Sequence, residues 1–219
     1  MLWHAICYFW GLPLQNKIPM KISSLLLALG LCATAVSANA NLVVNGDFEM
    51  PGTSAGNYAV LSTLPGWTLT QDGIEVRNAL VGNANSGANY LELDVFVNSS
   101  ISQTIATTPG AAYEINFAYS ARENIAADSN GIEIFFNGTS LGTVTGDGVG
   151  QTGNVWSNYT LTGFATGATS VLEFRAIGIS DGLGGSLDSV SVNAVPLPGT
   201  LALLGLGFMG LGLRKRVAK

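Results

Sequence analysis

The heptapeptide Tyr113-Glu114-Ile115-Asn116-Phe117-Ala118-Tyr119 places an apolar side chain at every second position, with polar or small residues between. An extended strand sends successive side chains to opposite faces, so a period of two predicts a half-buried strand. The same pattern recurs at 66–70 (Trp67, Leu69), 90–94, 101–105, 132–136, 172–176 and 187–192. Turn dipeptides separate these runs: Pro51-Gly52, Pro65-Gly66, Asp72-Gly73, Pro109-Gly110, Asp147-Gly148 and Asp181-Gly182. Asn137-Gly138 lies between 132–136 and 140–145 and predicts a type I′ hairpin, because both central residues of that turn need φ > 0. About ten short strands, with no helical period long enough to matter, predict an all-β antiparallel β-sandwich or jelly roll over residues 41–194. The Gly-rich stretch 146–154 reads as a mobile loop within it. Asp128-Ser129-Asn130-Gly131 opens like a calcium-binding loop, but Ile132-Glu133-Ile134 lacks the further spaced carboxylates and reads as turn and strand.

Charge narrows the chemistry of that domain. All 14 acids of the chain lie between Asp47 and Asp188, against three basic residues in the same stretch, Arg77, Arg122 and Arg175, for a net −11. The stretch has no Lys, and His4, Cys7 and Cys32 all precede it. Imidazole and thiol catalysis and a zinc site of the usual N and S ligands are therefore excluded there. Nucleic acid is excluded as a partner, since its binding draws on Lys and Arg to neutralise phosphates.

The two ends read as addresses. Met20-Lys21, the apolar run 22–36 and Ala38-Asn39-Ala40 have the layout of a secretory signal peptide over 20–40, with cleavage expected after Ala40. Residues 1–19 lack that logic and read as a mis-assigned extension ahead of a start at Met20. At the other end, Val195-Pro196-Leu197-Pro198 is followed by an apolar, Gly-rich run over 199–213 and by Arg214-Lys215-Arg216 within 214–219. Fifteen residues of helix reach about 22 Å at ~1.5 Å per residue, short of the ~30 Å hydrocarbon core, which makes the run a marginal membrane span.

Motif, apolar run and basic cluster, in that order, resemble the PEP-CTERM sorting tail. The resemblance implies an exosortase-type processing enzyme as partner, transient anchoring in the inner membrane through a C-terminal apolar helix, and export by a Gram-negative bacterium to its surface or extracellular matrix. The usual motif has Glu between the prolines, where this chain has Leu197.

A second resemblance is carried by Asn41-Leu42-Val43-Val44-Asn45-Gly46-Asp47-Phe48-Glu49 at the start of the domain and Gly185-Ser186-Leu187-Asp188-Ser189-Val190-Ser191-Val192 at its close. Pro65-Gly66-Trp67 and Ser102-Gln103-Thr104-Ile105 add to it. Together they are similar to the galactose-binding-domain-like jelly rolls of carbohydrate-binding modules. The resemblance implies a structural Ca²⁺ ion held by Glu49 and Asp188, with Asp47 as a further candidate; oxygen ligands of this kind suit calcium. The other reading of the two acids is that they cap turns or pair with an Arg.

Sugar recognition needs flat aromatic faces beside polar arms. Tyr119, Arg122, Trp156 and Arg77 are the candidate ligand contacts, with Trp67, Tyr90 and Tyr159 as further rings and Arg175, Glu92 and Asn116 as further polar groups. Tyr119 at strand spacing and a Trp after Pro-Gly also suit a core. The expected function is non-catalytic binding or structuring of extracellular polysaccharide. The alternatives are a purely structural matrix protein and a small glycoside hydrolase, which needs two carboxylates that no motif singles out here.

Overall fold

The computed structural model describes residues 40–70 and 73–196; residues 1–39, with most of the expected signal peptide, and the sorting tail from Leu197 lie outside the described residues. Among the described residues eleven strands follow one another: β1 (Asn57–Leu61), β2 (Thr68–Leu69), β3 (Ile74–Asn78), β4 (Tyr90–Glu92), β5 (Ser100–Ala106), β6 (Ala112–Ser120), β7 (Gly131–Phe136), β8 (Thr139–Val144), β9 (Ser157–Phe164), β10 (Thr169–Ile177) and β11 (Ser186–Ala194). They form a six-stranded sheet, β1-β3-β4-β11-β6-β9, and a five-stranded sheet, β2-β5-β10-β7-β8. Every pairing is antiparallel. The all-β sandwich expected from the period-two pattern is the fold.

The alternation decides which side chains meet between the sheets. Val76, Leu91, Leu187 and Tyr119 stand opposite one another across β3, β4, β11 and β6 and face the core. Ile101, Ile134, Leu172 and Phe174 fill it from the five-stranded sheet. The hairpin turns at Asn137 (φ 51) and Gly138 (φ 74), both in the left-handed region that a type I′ turn requires.

The opening motif closes the sandwich. Residues 42–46 run beside β11, with Leu42 N–H donating to the Val192 carbonyl at 2.9 Å and Val190 N–H to that of Gly46 at 2.8 Å. The buried Gln103 amide exchanges two bonds with the Val44 backbone, completing a bridge between this segment and β5. Trp67 plugs the core against Phe48 and Phe174, and its indole N–H donates to the Asn45 carbonyl at 3.0 Å.

The Gly-rich stretch is tied down rather than free. Gly148 N–H donates to the Ile125 carbonyl and its own carbonyl accepts from Asn124, and a Cβ at Gly148 would overlap the Arg122 carbonyl oxygen. The glycine there serves close backbone approach, and the expectation of a mobile loop is corrected on that ground. Residues 128–130 form a turn into β7, with the Asn130 side chain bonded to the backbone of Arg122, Ile125 and Ala126.

Candidate functional site

The outer face of the six-stranded sheet carries a band of polar residues. Register places Glu75 beside Glu92, Glu92 beside Ser186, and Ser186 beside Ser120; Arg77 lies beside Tyr90. Glu92, fully buried, is the hub. Its carboxylate takes the guanidinium of Arg77, that of Arg122 at 3.1 Å, and the N–H of Gly184. Arg77 Nε also donates to Glu75 at 2.5 Å, and Arg122 Nη1 reaches the Gly182 carbonyl at 3.3 Å. Two acids and two arginines balance, which is what allows charges to lie under cover. Burial nevertheless outweighs the guanidiniums and pushes the Glu92 carboxyl up to about 7. Arg77 is shifted up: burial favours loss of its charge, and Glu92 and Glu75 more than offset that.

The segment 79–89 covers this band and is bonded along its length. Val81 N–H donates to the Tyr90 hydroxyl at 3.2 Å, and the Asn83 carbonyl accepts from Trp156 Nε1 at 2.8 Å and from Asn154 Nδ2. Trp156 packs edge-on against Tyr90, centroids 5.8 Å apart, and stays partly exposed. Asn85 and Ser86 N–H groups donate to Asp188 Oδ2 at 2.8 and 2.9 Å, and those of Ala88 and Asn89 to Glu49 Oε1 at 2.7 and 2.8 Å.

Arg77, Arg122, Glu92, Tyr90 and Trp156, nominated from sequence, thus share one face. Tyr119 does not join them: it is buried in the core, its hydroxyl donates to the Asn130 carbonyl at 2.8 Å, and burial raises its pKa. Arg175 lies on the other sheet, over the Phe135 ring and paired with Glu173. Sequence reasoning missed Glu75, which strand periodicity at 74–78 flags, and Asp94, whose buried Oδ2 accepts from the N–H groups of Asp181 and Gly182.

Glu49 and Asp188 converge on the same loop while Asp47 points to solvent. Burial pushes the Asp188 carboxyl up to about 6 against the N–H groups of Ser86, Ser189 and Asn85, and the Glu49 charge adds to the rise. Burial acts on Glu49 too, but the donors of Asn89 and Ala88 more than offset it and hold its carboxyl below the usual value. The arrangement does not fit the expected calcium ion. Each of the four oxygens already takes at least one N–H group, two on Glu49 Oε1 and on Asp188 Oδ2, one on Glu49 Oε2 from Asn89 Nδ2 at 2.6 Å and one on Asp188 Oδ1 from Ser189 N–H at 2.5 Å. Among the described residues no three acidic, His or Cys side chains gather to hold a metal. The pair acts here as an anchor for the loop, closer to the turn-capping alternative.

The family model for the PEP-CTERM protein-sorting motif matches residues 194–216. The chain carries a PEP-CTERM sorting tail. The motif indicates an exported protein with a C-terminal sorting tail and implies processing by an exosortase. Val195 and Pro196, the described part of the tail, are exposed at the end of β11, while Pro198, Arg214, Lys215 and Arg216 lie outside the described residues, as does Ala38 of the expected signal cleavage site. Ala40, at that site, is exposed.

Among curated proteins, the multifunctional-autoprocessing repeats-in-toxin of Vibrio vulnificus is 30% identical over 155 residues, 68% of this chain. The chain spans about 3% of the length of that relative. Among solved structures, a cyclase from Fischerella sp. TAU in complex with 4-(1H-indol-3-yl)butan-2-one is similar with TM-score 0.54 and 15% identity, covering 74% of this chain and 100% of that one. This likeness shows the fold. A family 35 carbohydrate binding module from Clostridium thermocellum is similar with TM-score 0.42 and 19% identity, covering 57% of this chain and 90% of that one.

Proposed function

We propose that the mature protein is a non-catalytic component of the cell surface or extracellular matrix of a Gram-negative bacterium, and that it binds polysaccharide at the Trp156 and Arg122 rim of the six-stranded sheet. One observation carries the reading. The Ser120 hydroxyl accepts the Val155 N–H at 2.9 Å, which joins the segments that carry Arg122 and Trp156, and both side chains are fixed in place, Trp156 by Tyr90 and Asn83 and Arg122 by Glu92. A partly exposed ring beside a pre-positioned guanidinium suits a sugar face and its hydroxyls, and little side-chain entropy is left to lose on binding.

The same geometry speaks against glycoside hydrolysis. That reaction needs two carboxyl groups flanking an open bond position. Glu75 and Glu92 are buried and bridged by Arg77, which leaves no room between them.

Affinity electrophoresis in gels cast with bacterial exopolysaccharides tests the proposal. Retardation of the wild-type protein that is lost in Trp156→Ala is expected. Equal mobility of both proteins in every polysaccharide favours a purely structural matrix role, and reducing sugar released from a retarding polymer favours the hydrolase.

A further inference from the structure

Among the described residues the sandwich has four sheet edges, β1 and β9 on one sheet and β2 and β8 on the other. An edge strand carries unpaired N–H and C=O groups that can template another chain, and folded proteins blunt such edges with charge, proline, bulges or shortness. β2 has two residues, β1 has five, and the pairing of β8 with β7 slips register between Ile134 and Phe135. β9 has none of these protections. Its eight residues pair with β6 without a break, and no charged residue or proline lies between Asp147 and Glu173. We infer that β9 is a docking strand for a second copy of this chain, the two β9 strands pairing antiparallel about a two-fold axis at Leu161 and joining the six-stranded sheets edge to edge.

Backbone parity is the first argument. Just past the strand, Ala165 N–H donates to the Ala111 carbonyl at 3.0 Å. By antiparallel alternation Tyr159, Leu161 and Gly163 turn their backbone groups toward β6, while Asn158, Thr160, Thr162 and Phe164 turn theirs to the open side. Among the described residues no strand pairs there. An axis at Leu161 sets Asn158 of one copy against Phe164 of the other and Thr160 against Thr162. Each outward residue then meets an outward residue, so every free donor faces a free carbonyl. The side chains agree with that register. Tyr159 comes beside Gly163, which has no side chain to compete with the ring, and Leu161 comes beside its own counterpart. Tyr159 and Leu161 pack against the core yet are only partly buried, because β9 lacks a neighbour on that flank. Phe164, 67% exposed, gains the flank of Asn158.

Charge singles out the occupant. A domain of net −11 repels its own copies through its acidic faces and draws cationic partners to them, whereas two β9 edges meet without a charge on either strand. Glu114 lies on β6 beside Thr162, and across the joined edges it stands three strand spacings or more from its counterpart, at least ~14 Å, beyond the ~10 Å Debye length at 0.1 M salt. An uncharged edge whose free groups match under a two-fold rotation suits a second copy, and the same patch serves both partners.

Sedimentation velocity on protein exported and processed by cells that express the full chain tests this. Dimers are expected at about 100 μM. Thr162→Pro removes an N–H that the folded domain does not use, a change edge strands tolerate, and should weaken association about tenfold or more through the hydrogen bond lost from each copy. Thermal melting checks that this variant folds. Leu161→Cys, with Cys7→Ser and Cys32→Ser so that it holds the sole thiol, should link two copies by a disulfide on mild oxidation, because facing residues of a non-hydrogen-bonded antiparallel pair lie about 4.5 Å apart at Cα. This crosslink decides the matter if Thr162→Pro does not fold. A wild type that stays monomeric, equal association by folded Thr162→Pro, or no crosslink through Leu161→Cys each overturns the inference. Association is read without polysaccharide, so failure of this interface and failure of the Trp156 rim are told apart.

Discussion

Glu49 and Asp188 hold one loop from opposite ends of the chain: Glu49 takes the N–H groups of Ala88 and Asn89, and Asp188 those of Asn85 and Ser86. The first and last motifs of the domain are thereby joined through residues 85–89, the segment that covers the Glu92 cluster. Asp188→Ala leaves the N–H groups of Asn85, Ser86 and Ser189 without their acceptor, at a cost of about 2 kcal/mol. A urea midpoint unchanged in that variant would falsify the anchoring role. With N–H donors already on all four oxygens, EDTA and added Ca²⁺ are expected to leave the melting midpoint of the wild type where it is. A Ca²⁺-dependent rise would show that the loop turns carbonyls inward to make the cage that the motifs resemble.

Gly46 is required by packing. A Cβ at this position would overlap the Val190 carbonyl oxygen, on the very stretch of β11 that bonds the Gly46 backbone. Neither backbone can retreat without breaking the pairing, so Gly46→Ala should cost about 3 kcal/mol. Gly167→Ala is the control: a Cβ there meets its nearest atom at 3.6 Å, ordinary contact. Chemical denaturation of the two variants measures the contrast, and equal midpoints would remove the steric argument.

These particulars show what could be read in advance. The β6 alternation and the Asn137-Gly138 turn are local properties, and the structure has them where the sequence places them. Strands β1, β3 and β9 were not anticipated. In β3 the sequence Ile74-Glu75-Val76-Arg77 does alternate, but over only five residues, and all four of these side chains are buried, the polar pair included. β1 is an exposed edge strand with little apolar contrast, and β9 mixes Asn, Thr and Gly into its pattern. Arg77, Arg122, Tyr90 and Trp156 are legible as residue types suited to a sugar, but their meeting depends on register across β3, β4, β11 and β6, which no local pattern encodes. Tyr119 illustrates the converse: it sits on the same strand as the site, and parity alone sends it inward.

Stability is expected to fall as pH rises from about 5 to about 7.5. Glu92 faces Arg77, Arg122, Glu75 and the Gly184 N–H, and in the folded state its carboxyl is raised from 4.5 to about 7. The folded protein therefore keeps a proton that the unfolded chain has released, so each step up in pH across this window favours unfolding. Asp188, raised from 3.8 to about 6, acts with the same sign. Glu49, lowered, acts oppositely but only below its ordinary 4.5. Urea midpoints measured across this range check the prediction; a midpoint that stays flat or climbs with pH overturns it, the flat case meaning that the arginines keep Glu92 ionised throughout.

The sorting motif begins inside the fold. Its match starts at Ala194, the last residue of β11, and Val195 N–H still donates to the Ala112 carbonyl at 2.9 Å. Pro196 has no N–H to continue the ladder, so the strand ends where the proline pair begins. A stop codon after Pro196 leaves all eleven strands of the described residues in place and should leave the melting midpoint within about 2 °C of the full chain. A stop after Ser191 removes Val192, which is fully buried opposite Ile115, and should abolish folding. In cells, immunoblots of the full chain should show a shortened, processed form that is missing from the Pro196-truncated protein. A large loss of stability on truncation at Pro196 would place the tail within the fold instead of beyond it, and a shortened form in both would mean that processing does not depend on the tail.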